Sequence, residues 1–222
     1  MKLSRVVAVV ALAGAFAYLV QDRGNQAVAD DTSAVTTAVV TSAIGADEFE
    51  YVGSKKCKMC HIKEYKSWED TPHAKTMDVL KPNEATEAKT KHNLDPAKDY
   101  TRDEKCLACH VVGFGKAGGY TVPPEGDEAA MKKLEPLAAV GCESCHGPGS
   151  GYLDLKKEIM KDKREYTFEE LHAKGMIEPT AEVCMKCHTE DHPTYDPEDK
   201  FDFDKMKEKG VHEHTELKLK KG

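Results

Sequence analysis

Hydrophobic residues are concentrated in one segment at the start of the chain. Residues 6–20, VVAVVALAGAFAYLV, form an apolar run of fifteen behind a basic N-terminus. The run is shorter than the roughly 20 apolar residues of a membrane-spanning helix. Ala27-Val28-Ala29 fits the small-x-small pattern of a signal-peptide cleavage site. The pattern therefore predicts a secretory signal at residues 1–29, with an uncleaved membrane anchor as the alternative.

The next segment, residues 30–46, is rich in Val, Thr, Ser and Ala and contains no Lys or Arg. Because β-branched residues favour strands, this segment is either a disordered tail or a β-prone arm that adds to the edge of another subunit. Residues 47–222 are predicted to form one domain.

Within that domain, the pattern of polar and apolar residues favours short helices separated by turns. Residues 61–69 are strong helix formers, and Thr71 followed by Pro72 predicts a helix start that carries His73 and ends near Pro82. Three further helices are predicted at residues 83–92, 152–164 and 202–214. Thr167 and Glu170 form a capping box at the start of another helix, which carries His172, and Thr180 caps one more. The predicted class is mainly α and loop-rich, with little β-structure.

Composition adds that this chain is poor in core-forming residues. Hydrophobic residues make up 40% and charged residues 32%, against roughly 45–50% and 25% in typical globular domains. Either much of the chain is loop, or a non-protein group supplies apolar bulk. The formal net charge of −7 argues against nucleic acid as a partner.

The cysteines point to that non-protein group. All eight fall in four CxxCH motifs, which are CKMCH at 57–61, CLACH at 106–110, CESCH at 142–146 and CMKCH at 184–188. CxxCH is the attachment signature of c-type haem, in which two thiols bind one porphyrin and the adjacent histidine ligates its iron. The predicted attachment residues are Cys57, Cys60, Cys106, Cys109, Cys142, Cys145, Cys184 and Cys187, and the predicted iron ligands are His61, His110, His146 and His188.

Zinc sites and disulfides are the alternatives to four haem c groups. A closed zinc site normally takes four ligands, whereas each motif offers three. Disulfides are common in exported proteins, but they do not explain the histidine after each cysteine pair. We therefore predict a compact multihaem cytochrome c fold built around four covalently attached haems.

Six further histidines could ligate iron from the far side. They are His73, His92, His172, His192, His212 and His214. Four haems need at most four such ligands, so a fully bis-histidine protein is possible. Methionine is the alternative ligand, and it raises the haem potential.

Several stretches outside the motifs carry a resemblance to a known family. They are SWEDTPHAKTMDVLKPN, LDPAKDYTRDEKCLACHVVGFGKAGGYT, VGCESCHGPG and FDFDKMKEKGVHEH. With these stretches the chain resembles the tetrahaem cytochrome c-554 family. The resemblance implies that His73 ligates the iron held by Cys142, Cys145 and His146. It also implies that His212 pairs with His188, with His214 as a neighbour that could exchange roles with His212.

The chain departs from the family pattern at two haems. The family's distal ligand for the first haem lies ten residues after the third proximal histidine, where this chain has Lys156. His172 is the predicted replacement, and His192, Met160 or a lysine are the alternatives. The family's second haem is five-coordinate. Here His92 is either its sixth ligand or a solvated helix residue.

Electron transfer is the predicted function, and no catalytic residue is predicted. The β-prone arm looks similar to tetrahaem cytochromes that polymerise into extracellular filaments, which favours a conductor that binds copies of itself. A soluble periplasmic carrier that serves redox partner proteins is the alternative, followed by a reductase with an open second haem. The predicted location is the periplasm or the cell surface, with no membrane span after signal cleavage.

Overall fold

The computed structural model describes residues 48–207 and 211–215. The predicted signal at 1–29 and arm at 30–46 lie outside these ranges. The described part contains short helices, turns and an isolated β-bridge residue at Tyr166. Its α-helices are α1 Ser54–Cys57, α2 Ile62–Glu69, α3 Thr86–Lys91, α4 Glu104–His110, α5 Glu128–Leu134, α6 Cys142–His146, α7 Ser150–Asp162, α8 Phe168–His172, α9 Ala181–Cys184 and α10 Phe203–Met206. The mainly α, loop-rich class is confirmed.

Local capping chemistry sets several helix starts. The predicted capping box of α8 is present: the Glu170 N–H donates to the Thr167 hydroxyl at 3.4 Å, and the Thr167 N–H donates to the Glu170 carboxylate at 2.9 Å. The Asp103 side chain accepts a hydrogen bond from the Lys105 N–H at the start of α4. Such caps satisfy backbone donors that a short helix leaves unpaired.

Two predicted helices are wrong in form. Thr71 and Pro72 begin a helix at the predicted position, but it is a 3₁₀ helix, Pro72–Lys75, followed by a second one, Asp78–Leu80. The Thr71 side chain does not cap it, because its hydroxyl donates to the Trp68 carbonyl at 2.7 Å. Helix α10 ends at Met206, and residues 211–215 are not helical. There the Glu213 N–H donates to the Ser67 hydroxyl, so a tertiary contact replaces the intrahelical bond that the sequence predicts.

The buried apolar core is small, as the composition predicts. Eleven apolar side chains are buried in the part of the chain that the structure describes. Ten of them form two clusters, one of Leu80, Tyr100, Leu107, Val111, Val112, Tyr120 and Leu137 and the other of Ile159, Tyr166 and Leu171. Tyr65 is the eleventh.

A buried carboxylate joins three separate backbone segments. Glu143 is 1% exposed, and its carboxylate accepts hydrogen bonds from the backbone N–H groups of Val52, Gly53 and Gly149 at 2.7 to 3.2 Å. Burial raises the Glu143 pKa, and the three N–H donors oppose the rise. Because Glu143 lies inside the third CxxCH motif, this network fixes that motif against the segment that precedes the first one.

No helix of the described ranges is long and apolar enough to cross a membrane.

Candidate haem sites

Each CxxCH motif lies on or directly after a helical turn. The second and third motifs lie within α4 and α6, whereas the first and fourth begin at the last residue of α1 and α9. In the latter two, the histidine N–H still donates to the carbonyl of the first cysteine, at 2.9 Å for His61 and 3.0 Å for His188. A helical turn brings residues three apart onto one face, so both thiols of a motif can reach one porphyrin edge. All eight cysteines are within the described ranges, and none of them forms a disulfide bond there.

Hydrogen bonds orient the proximal histidines for metal binding. The His110 Nδ1 atom donates to the Thr76 carbonyl at 2.7 Å, and His146 donates to the backbone carbonyl of Ile177. A ligating histidine typically donates its other ring nitrogen in this way, which leaves the Nε2 lone pair for the metal. The His61 Nδ1 atom lies 4.0 Å from the Glu64 carboxylate.

Burial keeps these rings in the protonation state that binds metal. Desolvation lowers the pKa of His61, His110, His146, His188 and His192. Iron binds the neutral imidazole. The donor set and its protonation therefore fit haem iron.

Three pairs of histidine rings have nearly the same distance between their ring centroids. The ring centroids are 6.2 Å apart for His73 and His188, 6.3 Å for His110 and His192, and 6.2 Å for His146 and His212. An imidazole nitrogen binds a metal ion at about 2.0 Å, so two axial histidines on one iron have ring centres roughly 6.4 Å apart. Each pair joins one motif histidine to one distant histidine at the spacing that a shared iron requires.

The pairing differs from the one that the family resemblance implies. His73 lies opposite His188 rather than His146, and His212 lies opposite His146 rather than His188. The tertiary path of the chain decides this, because it brings the 3₁₀ turn of His73 to the fourth motif. His214 contacts His212, with ring centroids 4.9 Å apart.

The second candidate site brings His110 near His192, which the sequence offers only as an alternative ligand for the first haem. The ring centroids of His110 and His192 are 6.3 Å apart, and a ligand role for His92 stays a prediction. His92 is half-buried and lies within electrostatic range of His192. The available signal was the spacing in CMKCHTEDH, where His192 follows the fourth proximal histidine by four residues.

The first candidate site has a different set of neighbours. Across the described residues, no histidine ring faces His61 at the spacing of the other pairs. Lys156 lies within electrostatic range of His61, and its Nζ atom is 3.8 Å from the ring centre of Tyr166. That His172 ligates the first iron stays a prediction.

His172 makes its contacts within its own region of the chain. Its ring stacks on Phe168, with centroids 5.9 Å apart, and its Nε2 atom lies 3.8 Å from the Glu178 carboxylate. That nitrogen is buried without a hydrogen-bond partner.

Cysteines from different motifs are neighbours. The sulfur atoms of Cys57 and Cys142 are close neighbours, which places the first motif beside the third. Cys145 lies within electrostatic range of Cys184, which joins the third motif to the fourth. The sulfur atoms of Cys187 and Cys109 are close neighbours, which places the fourth motif beside the second. The spatial order of the motifs is therefore first, third, fourth, second.

Four CxxCH motifs, histidines held in the metal-binding tautomer and a small protein core define a multihaem c-type cytochrome. The family model "Cytochrome c554 and c-prime" matches residues 56–147. Cytochrome c-554 of Nitrosomonas europaea is 40% identical over 206 residues, which cover 83% of this chain and 84% of that protein. The structure of reduced cytochrome c554 from the same organism aligns with a TM-score of 0.67 and 38% identity, and the match covers 78% of this chain and 90% of that one.

This chain belongs to the cytochrome c-554 family. The predicted fold class and the four haem c groups are confirmed by this membership. The protein is accordingly an electron-transfer cytochrome that works with redox partners.

Proposed function

We propose that this protein is an exported tetrahaem electron carrier in which the irons of the third and fourth motifs each have two histidine ligands. The pairs His146–His212 and His73–His188 support this ligation, because their ring centroids are 6.2 Å apart. Haem supplies the one-electron Fe(III)/Fe(II) couple. Two histidines leave no position for a substrate on such an iron, so these sites serve electron transfer rather than catalysis.

Electrons pass among the motifs in their spatial order. The neighbouring thiols Cys57–Cys142, Cys145–Cys184 and Cys187–Cys109 support a relay from the first motif to the third, then to the fourth and the second. The first and second motifs are then the ends at which redox partners exchange electrons. Each electron-transfer step covers a short distance, because it joins two adjacent motifs.

Two measurements on the purified protein test this function. A pyridine haemochrome assay should give four haems per chain. Electron paramagnetic resonance (EPR) at low temperature, combined with a potentiometric titration, should show low-spin iron at the third and fourth motifs that cycles reversibly. A haem count below four would contradict the proposal. So would a high-spin EPR signal in the wild-type protein whose intensity is the same in His73→Ala and His212→Ala.

Two sequence segments bear on the location and the assembly state of the protein. The apolar run at 6–20 and the cleavage pattern at 27–29 support export, and covalent haem attachment agrees with a compartment outside the cytoplasm. The β-prone segment at 30–46 supports a filament-forming variant of the same function, in which copies of the chain extend the relay.

Negative-stain electron microscopy separates these two forms of the carrier. The native protein should be taken from the culture medium and from the cell surface. Compact particles mean a soluble carrier, whereas filaments of regular repeat mean a homopolymer. A variant that lacks residues 30–46 is the control, because filaments joined by this arm should disappear while the haem count stays at four.

A further inference from the structure

The second CxxCH motif faces an apolar cavity with a histidine on each side. The cavity is about 220 Å³ and is lined by Cys106, Cys109 and His110 from the motif and by His192 from across the cavity. The rings of His110 and His192 are 6.3 Å apart between centroids and inclined by 24°. Val79 and Leu80 are among its apolar lining residues.

The outer nitrogen of each ring is already engaged. The His110 Nδ1 atom donates to the Thr76 carbonyl at 2.7 Å. The His192 Nδ1 atom lies 2.9 Å from the Thr194 hydroxyl and 3.1 Å from the Thr194 N–H. The Thr194 N–H can only donate and needs Nδ1 as the acceptor, whereas the hydroxyl can either donate to Nδ1 or accept from it. With Nδ1 held by Thr194, Nε2 is the ring nitrogen left to face a metal.

The backbone around His192 is tied to two elements of the fold. A turn joins His192 to the fourth motif through its N–H bond to the Thr189 carbonyl at 3.1 Å, and the Tyr195 N–H donates to the His192 carbonyl at 2.8 Å. An ion pair between Lys91 and Asp196 connects this turn to the end of α3. His192 is therefore presented by a fixed turn rather than by a free tail.

From this geometry we infer that His192 is the sixth ligand of the iron attached at Cys106 and Cys109. The inference rests on the proposed function, because it requires haem at the second motif. Iron with His110 on one face and His192 on the other has no open position, so the second haem binds no external ligand and only transfers electrons. His188 and His192 are four residues apart, so one short segment supplies ligands to both the fourth and the second irons.

Spin state tests this inference directly. The oxidised four-haem protein should show no high-spin signal from the second haem in low-temperature EPR. His192→Ala should convert about one haem in four to high spin, and added imidazole should restore the low-spin signal. His92→Ala is the matched control, because His92 neighbours His192 on the adjacent segment, and it should leave the spectrum unchanged.

Two results would overturn the inference. One is an unchanged spectrum in His192→Ala at full haem content, and the other is a new high-spin signal in His92→Ala instead. In the variants, the pyridine haemochrome assay separates loss of a ligand from loss of haem. In the wild-type protein, a haem count below four contradicts the proposed function itself.

A second pair of variants keeps the test decisive if His192→Ala fails to mature. His192→Met retains a sixth ligand and should give a low-spin haem of higher potential. Thr194→Val removes the hydroxyl that holds Nδ1 and should shift the potential of the same haem with no change in spin state. If neither variant moves any haem potential, His192 does not ligate iron.

Discussion

The role of each histidine in this fold depends on which of its ring nitrogens forms a hydrogen bond with the protein. His110, His146 and His212 each direct one ring nitrogen to a backbone carbonyl, of Thr76, Ile177 and Glu213 respectively. Their other nitrogen is then left for iron. Spacing in sequence shows none of these contacts, which is why the motif histidines could be predicted and the opposite partners could not.

His73 provides a direct test of the pairing. In the reduced, diamagnetic protein, we expect nuclear Overhauser effects between the His73 ring protons and the porphyrin of the haem attached at Cys184 and Cys187, because His73 faces His188. His73→Ala should remove these signals and create one high-spin haem in the oxidised protein. Overhauser effects to the haem attached at the third motif would instead support the pairing that the family resemblance implies.

Glu143 is expected to matter for stability rather than for electron transfer. Glu143→Gln leaves one acceptor oxygen where two carboxylate oxygens accept from three buried N–H groups. An unsatisfied buried donor costs about 1–3 kcal/mol, and the free energy of unfolding should fall by that amount in urea titrations. Glu125→Gln is the control, because Glu125 is exposed, and an equal loss in both variants would contradict the role of the network.

At the scale of elements, the sequence correctly predicted a helix start where neighbouring residues supply the cap. The capping box of α8 forms as predicted because Thr167 and Glu170 satisfy each other's backbone. The predicted helix at 202–214 is shorter because Glu213 bonds to Ser67, which is 146 residues away. A contact of that range leaves no signal in local periodicity.

The residue that precedes helix α3 has a strained backbone. Glycine substitutions there and inside the helix should therefore change the free energy of unfolding in opposite directions. Ala85 has φ of 46°, a left-handed conformation that costs a residue with a Cβ about 1–2 kcal/mol. Ala85→Gly should therefore raise the free energy of unfolding by about 0.5–1 kcal/mol after the entropy cost of glycine. Ala88→Gly, within the same helix, should lower it by about 1 kcal/mol. Chemical denaturation of both variants checks this, and a loss of stability in Ala85→Gly would show that the backbone is unstrained.

At the scale of the whole molecule, the haem groups take the place of a large protein core. Only eleven apolar side chains are buried in the described part of the chain, and the histidine pairs join segments far apart in sequence, such as His146 and His212. Ligation of one iron by two such segments closes a long loop, as a cross-link does. The composition left open whether loops or a non-protein group explain the small core, and the CxxCH motifs pointed to haem. The order of the motifs in space could be seen only in the fold.

That order predicts how an electron distributes within the molecule. Methionine ligation raises a haem potential, so His212→Met should make the third haem, an interior member of the relay, the preferred site for a single electron. Each rise of 59 mV favours that haem tenfold. Pulse radiolysis with less than one electron per molecule should then show transfer from the first haem stopping at the third. His192→Met is the control: it raises the potential of the haem at the far end, and one electron should travel the full relay to reach it. If both variants collect the electron at equal rates, the third haem does not lie between the first and the second.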